Sequence, residues 1–275
     1  MTVFRGLALV LILSCFSSCC LPNVSSVITP SDSDGFLQCL SENIPSGLIY
    51  TQAASNFIDM LVSSVRNPRL FSNAMVRPLG IVTPVDVSHV QAAVRCGRAN
   101  GVRLRRPGEV FGVVDLSNLR AITVSDDDER PVPTAWVDSG ATLGELYYTI
   151  AKNNSEMAFP AGICPTIGVG GHFSGGGIGM MMRRFGLSID NVLDAKLVDT
   201  SGDLVDRAAM GEDHFWAIRG GGGESFGIVV SCGSDLVPTL NSSFPELGMT
   251  SADCLEMTWL QSAAFFNFWN RYTPV

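Results

Sequence analysis

Eight of the eighteen residues from Gly162 to Gly179 are glycine. A long helix or strand does not hold that density, because each glycine inside one costs roughly 0.5–1 kcal/mol relative to alanine. Glycine is kept where the backbone turns sharply or lies close to a partner, and successive N–H groups there can converge on an anion, commonly a diphosphate. A second run covers Gly220 to Gly223. Neither run carries G-x-G-x-x-G: counting from Gly168 and Gly170 the third position is Phe173, and from Gly221 and Gly223 it is Phe226. No lysine stands at P-loop spacing, so neither a Rossmann dinucleotide site nor a P-loop is supported. Two readings stay open from these residues: a cradle for a ligand, or tight turns and bulges in a β-rich domain.

The segments around the glycines read as mixed helix and strand. Gly35 to Met60 is amphipathic at helical spacing, and Val76 to Val82 is extended. Asp86 is placed to cap a helix over Val87 to Asn100, which Gly101 ends in the usual position beyond a C-terminus. Val102 to Arg105, Phe111 to Leu116 and Ala135 to Val137 read as strands, the second apolar enough to be buried on both faces. Thr142 to Asn153 reads as a helix and Met157 to Pro160 as extended chain. A strand over Val192 to Thr200, a turn at Ser201-Gly202-Asp203 and a return strand from Leu204 follow. Asp213 is placed to cap a short helix to Ile218, and Phe226 to Val230 reads as another strand. The fold class is α+β, mixed sheets with helices outside.

The chain of 275 residues has a net charge of −8 and offers no broad basic face, which argues against nucleic-acid binding. With 46% hydrophobic and 16% charged residues it is not a disordered chain. Arg5, the apolar run Gly6 to Phe16 and the small residues Ser17 to Cys20 read as a secretory signal, residues 1–23, too short to span a bilayer. Export to the apoplast, cell wall or vacuole follows, with no membrane partner after cleavage. The sequons at Asn23, Asn153 and Asn241 fit an exported glycoprotein. Five cysteines remain after residue 23: Cys39, Cys96, Cys164, Cys232 and Cys254. An odd number leaves at least one thiol unpaired in an oxidising compartment. Cys164, inside the first glycine loop, is a candidate nucleophile or attachment point, or a partner for Cys232 or Cys254.

Three stretches carry a resemblance. Val137-Asp-Ser-Gly-Ala-Thr-Leu-Gly-Glu-Leu-Tyr, Phe159-Pro-Ala-Gly-Ile-Cys-Pro-Thr-Ile-Gly-Val-Gly-Gly-His-Phe-Ser-Gly-Gly-Gly and Met210-Gly-Glu-Asp-His-Phe-Trp-Ala-Ile-Arg-Gly-Gly-Gly-Gly-Glu-Ser-Phe-Gly-Ile-Val closely resemble the plant berberine bridge enzyme-like FAD-linked oxidases. The resemblance implies a two-lobed FAD domain of the PCMH, vanillyl-alcohol oxidase-like type over residues 36–232, and a fragment of a truncated substrate domain over 233–275. It implies that Cys164 bonds the flavin ring. It also implies that Gly162, Thr166, Gly168, Val169, Gly170, Gly171, His172, Gly175 and Gly176 line the cofactor, that Ile228 and Val230 pass its adenine end, and that Cys39 and Cys96 form a disulfide. The implied reaction is hydride transfer from an alcohol or C–H donor, a small-molecule substrate, to flavin, with O2 as acceptor.

The sequence departs from that family in two places. The family's Arg-Ser-Gly-Gly-His-Asp-Tyr segment, whose histidine makes a second bond to flavin, is absent near 105–109; Val102-Arg-Leu-Arg-Arg-Pro-Gly-Glu-Val runs directly into Phe111. The substrate domain is shortened after Cys232, and no catalytic base is identifiable. Attachment is therefore expected through Cys164 at most, and an inactive remnant flavoprotein or glycoprotein is the alternative. His172 has no metal-ligand partners at suitable spacing, and Asp126 to Glu129 reads as a solvated turn. Arg103, Arg105 and Arg106 are weaker candidates for contact with FAD phosphates.

Overall fold

The computed structural model describes residues 30–64, 76–104, 110–125, 132–155, 157–222, 225–238 and 260–261. The signal segment, Arg105, Arg106, the Asp126–Glu129 run, Asn23, Asn241, Cys254 and most of 239–275 lie outside them.

Two sheets form two lobes. The first is four-stranded, in the order β1 (Ile49–Thr51), β2 (Gly80–Val82), β4 (Phe111–Val114), β3 (Arg103–Leu104). It is mixed: β1 pairs antiparallel with β2, while β4 lies parallel between β2 and β3. The second is antiparallel and five-stranded, in the order β5 (Ile122–Ser125), β6 (Thr134–Asp138), β10 (Ile228–Asp235), β8 (Val192–Val198), β9 (Leu204–Val205). A small third pairing joins β7 (Met157–Ala158) to β11 (Val237–Pro238).

Each lobe closes on its own core. Helices α1 (Pro30–Asn43) and α3 (Val87–Ala99) bury Phe36, Leu40, Ala93 and Cys96 against Val82 and Val102. Cys39 and Cys96 form the disulfide that clamps these helices together, as the resemblance implied. Beneath the five-stranded sheet, helix α4 (Leu143–Asn153) buries Leu143, Leu146, Tyr147 and Ile150 with Phe159, Phe173, Leu197 and Phe215. Thr142 and Glu145 close a reciprocal capping box at the start of α4, satisfying two N–H groups that the helix leaves open.

Helix α3 ties the lobes together. Its Val90 packs with Leu119, Val198 and Val230 at the seam. On the surface Arg95 pairs with Asp203 at 3.1 Å, and Gln91 donates to the carbonyl of Gly202. Gly202 takes φ +81 in that turn, and a Cβ there would run into the Arg95 side chain.

Several expectations need correction. Gly35 to Met60 is not one helix: after α1 the chain forms strand β1 and then helix α2 (Phe57–Ser64). Apolar residues at helical spacing here serve two helices, and the intervening Ile49–Thr51 is drawn into the sheet by pairing with β2. Asp213 is not an N-cap; it lies in the first turn of α8 (Glu212–Ala217), whose N-cap is Gly211. Asp206 caps an additional helix, α7 (Arg207–Met210). Cys164 is unpaired and exposed, and Cys232 is unpaired and buried, so neither pairs with the other. No helix among the described residues is long and apolar enough to cross a membrane.

Candidate functional site

The glycine loop packs against the seam between the lobes and holds a short helix, α5 (Val169–Ser174). Two clefts adjoin there. The first, about 420 Å³, is lined by Leu104, Val114, Leu116, Ser139, Gly170, Gly171, Ser174, Gly175, Gly222, Ser225, Gly227, Ile228 and Val229. The second, about 670 Å³, takes in Tyr50, Ser63, Ser64, Asp115, Asn118, Gly140 and Gly168, and shares Val114, Leu116 and Ser139 with the first.

The loop is braced from inside. Gly162 is held at both polar ends: its N–H donates to His172 Nε2 at 3.0 Å, and its carbonyl accepts from the buried Tyr147 hydroxyl at 2.5 Å. Burial lowers the His172 pKa, so the ring stays a neutral acceptor. Ser188, fully buried, donates to the carbonyls of Pro160 and Gly177. The Gly170 N–H donates to the Ser139 carbonyl at 3.0 Å, and the Ser139 hydroxyl donates to the Val229 carbonyl at 2.6 Å.

The sequence-expected residues therefore separate. Gly168, Gly170, Gly171, Gly175 and Ile228 line the clefts. A Cβ on Gly168 or Gly171 would meet nothing within 4 Å, so these positions border open space. Val169 and Val230 turn into core clusters, and Gly162, His172 and Gly176 hold the loop together without lining either cleft. Thr166 and Cys164 lie exposed on the segment leading to Gly168. Arg103 faces away from the cleft, since its neighbour Leu104 lines it and strand side chains alternate. Sequence reasoning missed Leu104, Val114, Leu116 and Ser139. Of these only Ser139 fell inside a quoted motif; the others are ordinary apolar positions until the sheets are assembled. Among the described residues no cluster of His, Cys, Asp or Glu is placed to hold a metal ion.

The trough suits an elongated ligand with planar ends, which FAD is. Its glycine borders leave room for such a ligand; the walls of the smaller cleft are mainly apolar, whereas the larger is lined by Ser63, Ser64, Thr83, Asp115, Ser117 and Asn118 among others. The amides of Val169, Gly170 and His172 are already bonded to carbonyls of the chain, so the expectation of a loop whose amides converge on a diphosphate is met only in shape.

Comparison with known proteins places this geometry. Residues 78–207 match the FAD binding domain. Berberine bridge enzyme-like Cyn d 4 of Cynodon dactylon is 41% identical over 308 residues, covering 84% of this chain and 58% of that protein. Berberine bridge enzyme-like 28 of Arabidopsis thaliana is 46% identical over 230 residues, covering 76% of this chain and 42% of the relative. The solved structure of Phl p 4, described as a grass pollen allergen with glucose dehydrogenase activity, superposes with TM-score 0.78 at 39% identity, covering 86% of this chain and 63% of that one. A variant of berberine bridge enzyme in complex with (S)-reticuline superposes with TM-score 0.68 at 38% identity, covering 74% and 43%. The chain thus spans about three fifths or less of these relatives' length. The Cyn d 4 alignment sets 308 positions against 84% of 275 residues, about 231, leaving about 77 positions without a counterpart here. With its FAD binding domain and its two-lobed α+β architecture, the chain belongs to the berberine bridge enzyme-like family of FAD-binding oxidoreductases.

Proposed function

We propose that this chain is an exported flavoprotein that binds FAD along the trough and holds it by a single covalent bond, from the sulfur of Cys164 to the flavin ring. The observation that carries the reading is the trough itself, open beside Gly168 and Gly171, with the unpaired, exposed Cys164 four residues before Gly168. FAD, when bound, accepts two electrons as a hydride from the substrate. The chain's own residues brace the loop through His172, Tyr147 and Ser188, exclude water with Val114, Leu116 and Ile228, and leave the Cys164 thiol accessible. The FAD-binding domain extends from residue 36 past 232, because β10 continues in the sheet to Asp235 and Val237–Pro238 pair with β7, and the residues that follow to 275 belong to the substrate-covering part. The substrate is a small molecule oxidised at an alcohol or C–H carbon. Phl p 4 is described as a glucose dehydrogenase and one of its variants as a glucose oxidase, which makes O2 the acceptor to test first.

The test is a visible spectrum of the secreted chain after denaturation and removal of small molecules. Yellow colour that stays with the wild-type polypeptide and leaves it in Cys164→Ala supports the reading. A chain that is colourless and takes up no added FAD overturns it.

A further inference from the structure

The segment that carries Cys164 is tied to helix α4 on both of its sides. Upstream, the Tyr147 hydroxyl donates to the Gly162 carbonyl. Downstream, the Gly144 N–H donates to the Pro165 carbonyl and the Leu143 N–H to the Ile167 carbonyl, each at 2.9 Å. Gly144 and Tyr147 stand three residues apart in α4 and so share one helix face. Cys164 is exposed between the two attachments. The first four N–H groups of a helix have no partner within it. Here the capping box satisfies those of Thr142 and Glu145, and the carbonyls of Ile167 and Pro165 satisfy those of Leu143 and Gly144. A backbone bridge between Thr142 and Gly168 continues the same seat. The seat leaves no room at position 144: a Cβ there would stand 2.9 Å from the Pro165 Cβ and 3.1 Å from the Pro165 carbonyl oxygen. Alanine suits a helix better than glycine, so glycine in the first turn of α4 serves the close approach of Pro165 and not the helix.

We infer that Gly144 and Tyr147 are positioning residues for the covalent attachment of flavin: the face of α4 that they form fixes the peptide groups on either side of Cys164 and so limits where its sulfur can reach. This role rests on the FAD reading and adds to it the residues that place the thiol. In the attachment step a C–S bond replaces one ring C–H and the cysteine S–H. The two protons and two electrons released pass to O2, which leaves as hydrogen peroxide. Gly144 and Tyr147 act through the chain that carries the sulfur and take no part in these bond changes. A sulfur on a loose segment spends little time at bonding distance from any one ring atom, whereas a segment fixed at both ends has that search already restricted.

The experiment adds FAD to the flavin-free, full-length chain and follows two quantities: total bound flavin, by fluorescence quenching in the native state, and flavin that stays on the polypeptide after denaturation. Gly144→Ala is expected to slow attachment at least about tenfold and Tyr147→Phe at least about threefold, with FAD affinity changed less than about threefold in each. In a Pro165→Gly background the chain can yield to the new methyl, so Gly144→Ala is expected to slow attachment there by less than about threefold. Thermal unfolding checks that each variant is folded. If Gly144→Ala does not fold, Tyr147→Phe decides by the same two quantities. Unchanged attachment in the folded variants, an equal effect of Gly144→Ala with and without Pro165, or a loss of affinity as large as the loss of attachment rate overturns the positioning role while leaving the FAD reading intact. An unsubstituted chain that binds no FAD, or keeps none after denaturation, overturns the FAD reading and the positioning role together.

Discussion

The His172 ring offers a sharp test of how the glycine loop is built. Its Nε2 accepts the Gly162 N–H at 3.0 Å, and its ring carbons fill the space that a Cβ on Gly162 or Gly177 would need, at 3.0 and 3.1 Å. In His172→Ala the Gly162 N–H, on a buried residue, loses its acceptor, worth about 1–3 kcal/mol, and the vacated ring adds a partial cavity. The expected loss is about 2–4 kcal/mol by urea unfolding at pH 7.5. The sign of the pH dependence follows from the lowered pKa, whose cause is burial. The unfolded chain takes up the proton near the ordinary imidazole value of about 6.5 while the folded chain resists it. The contribution is therefore present above that value and fades as pH falls through it. His172→Gln supplies an amide oxygen in place of the ring nitrogen but does not titrate. It should recover part of the stability at pH 7.5 and lose less than wild type on going to pH 5.5. His89 and His214 are common to both chains and cancel in the comparison. If wild type and His172→Gln show the same pH slope, or His172→Ala costs under about 0.5 kcal/mol, the ring is not a brace.

Gly171→Ala adds a methyl where nothing stands within 4 Å, in a helical position that favours alanine by about 1 kcal/mol; thermal stability should hold or rise while FAD affinity falls, and unchanged affinity would count against the trough. Gly170→Ala should instead cost about 1–3 kcal/mol in urea unfolding, because its Cβ would press on Ser139. Opening the Cys39–Cys96 bond, which spans 57 residues, should lower stability by about 2–4 kcal/mol, measured by comparing Cys39→Ser with wild type. Iodoacetamide on the native, flavin-free chain should label Cys164 and spare Cys232, whose thiol burial pushes up to about 12; peptide mapping that finds Cys232 labelled first would contradict the packing of the five-stranded sheet.

Local order was written plainly in the chain. Asp86 before an amphipathic run, Gly101 behind it and the helical spacing from Thr142 to Asn153 are all local signals, so helices α3 and α4 fall within a residue of where they were expected, and the structure adds the Thr142/Glu145 capping box. The turn at Gly202 and the strands on either side of it were equally legible. Strand β1 was not, because its short apolar sequence fits a helix until β2 offers it hydrogen bonds. The resemblance implied that His172 lines the cofactor; the structure adds that its nitrogen accepts from Gly162, a partner ten residues away that only the folded loop brings to it.

What the sequence determined by itself was kinship: the long motifs around Cys164 and Gly220 placed the chain among flavoproteins, because backbone approach to a cofactor needs glycine at particular positions whatever surrounds it. The tertiary structure alone decided which of those glycines face open space and which are internal packing. A cleft is made by two surfaces, and the strand from Phe111 to Val114 meets the glycine loop only when helix α3 locks the lobes together through Val90 and the Arg95–Asp203 pair. No local pattern encodes that meeting, since its partners lie far apart along the chain and are joined by packing rather than by spacing.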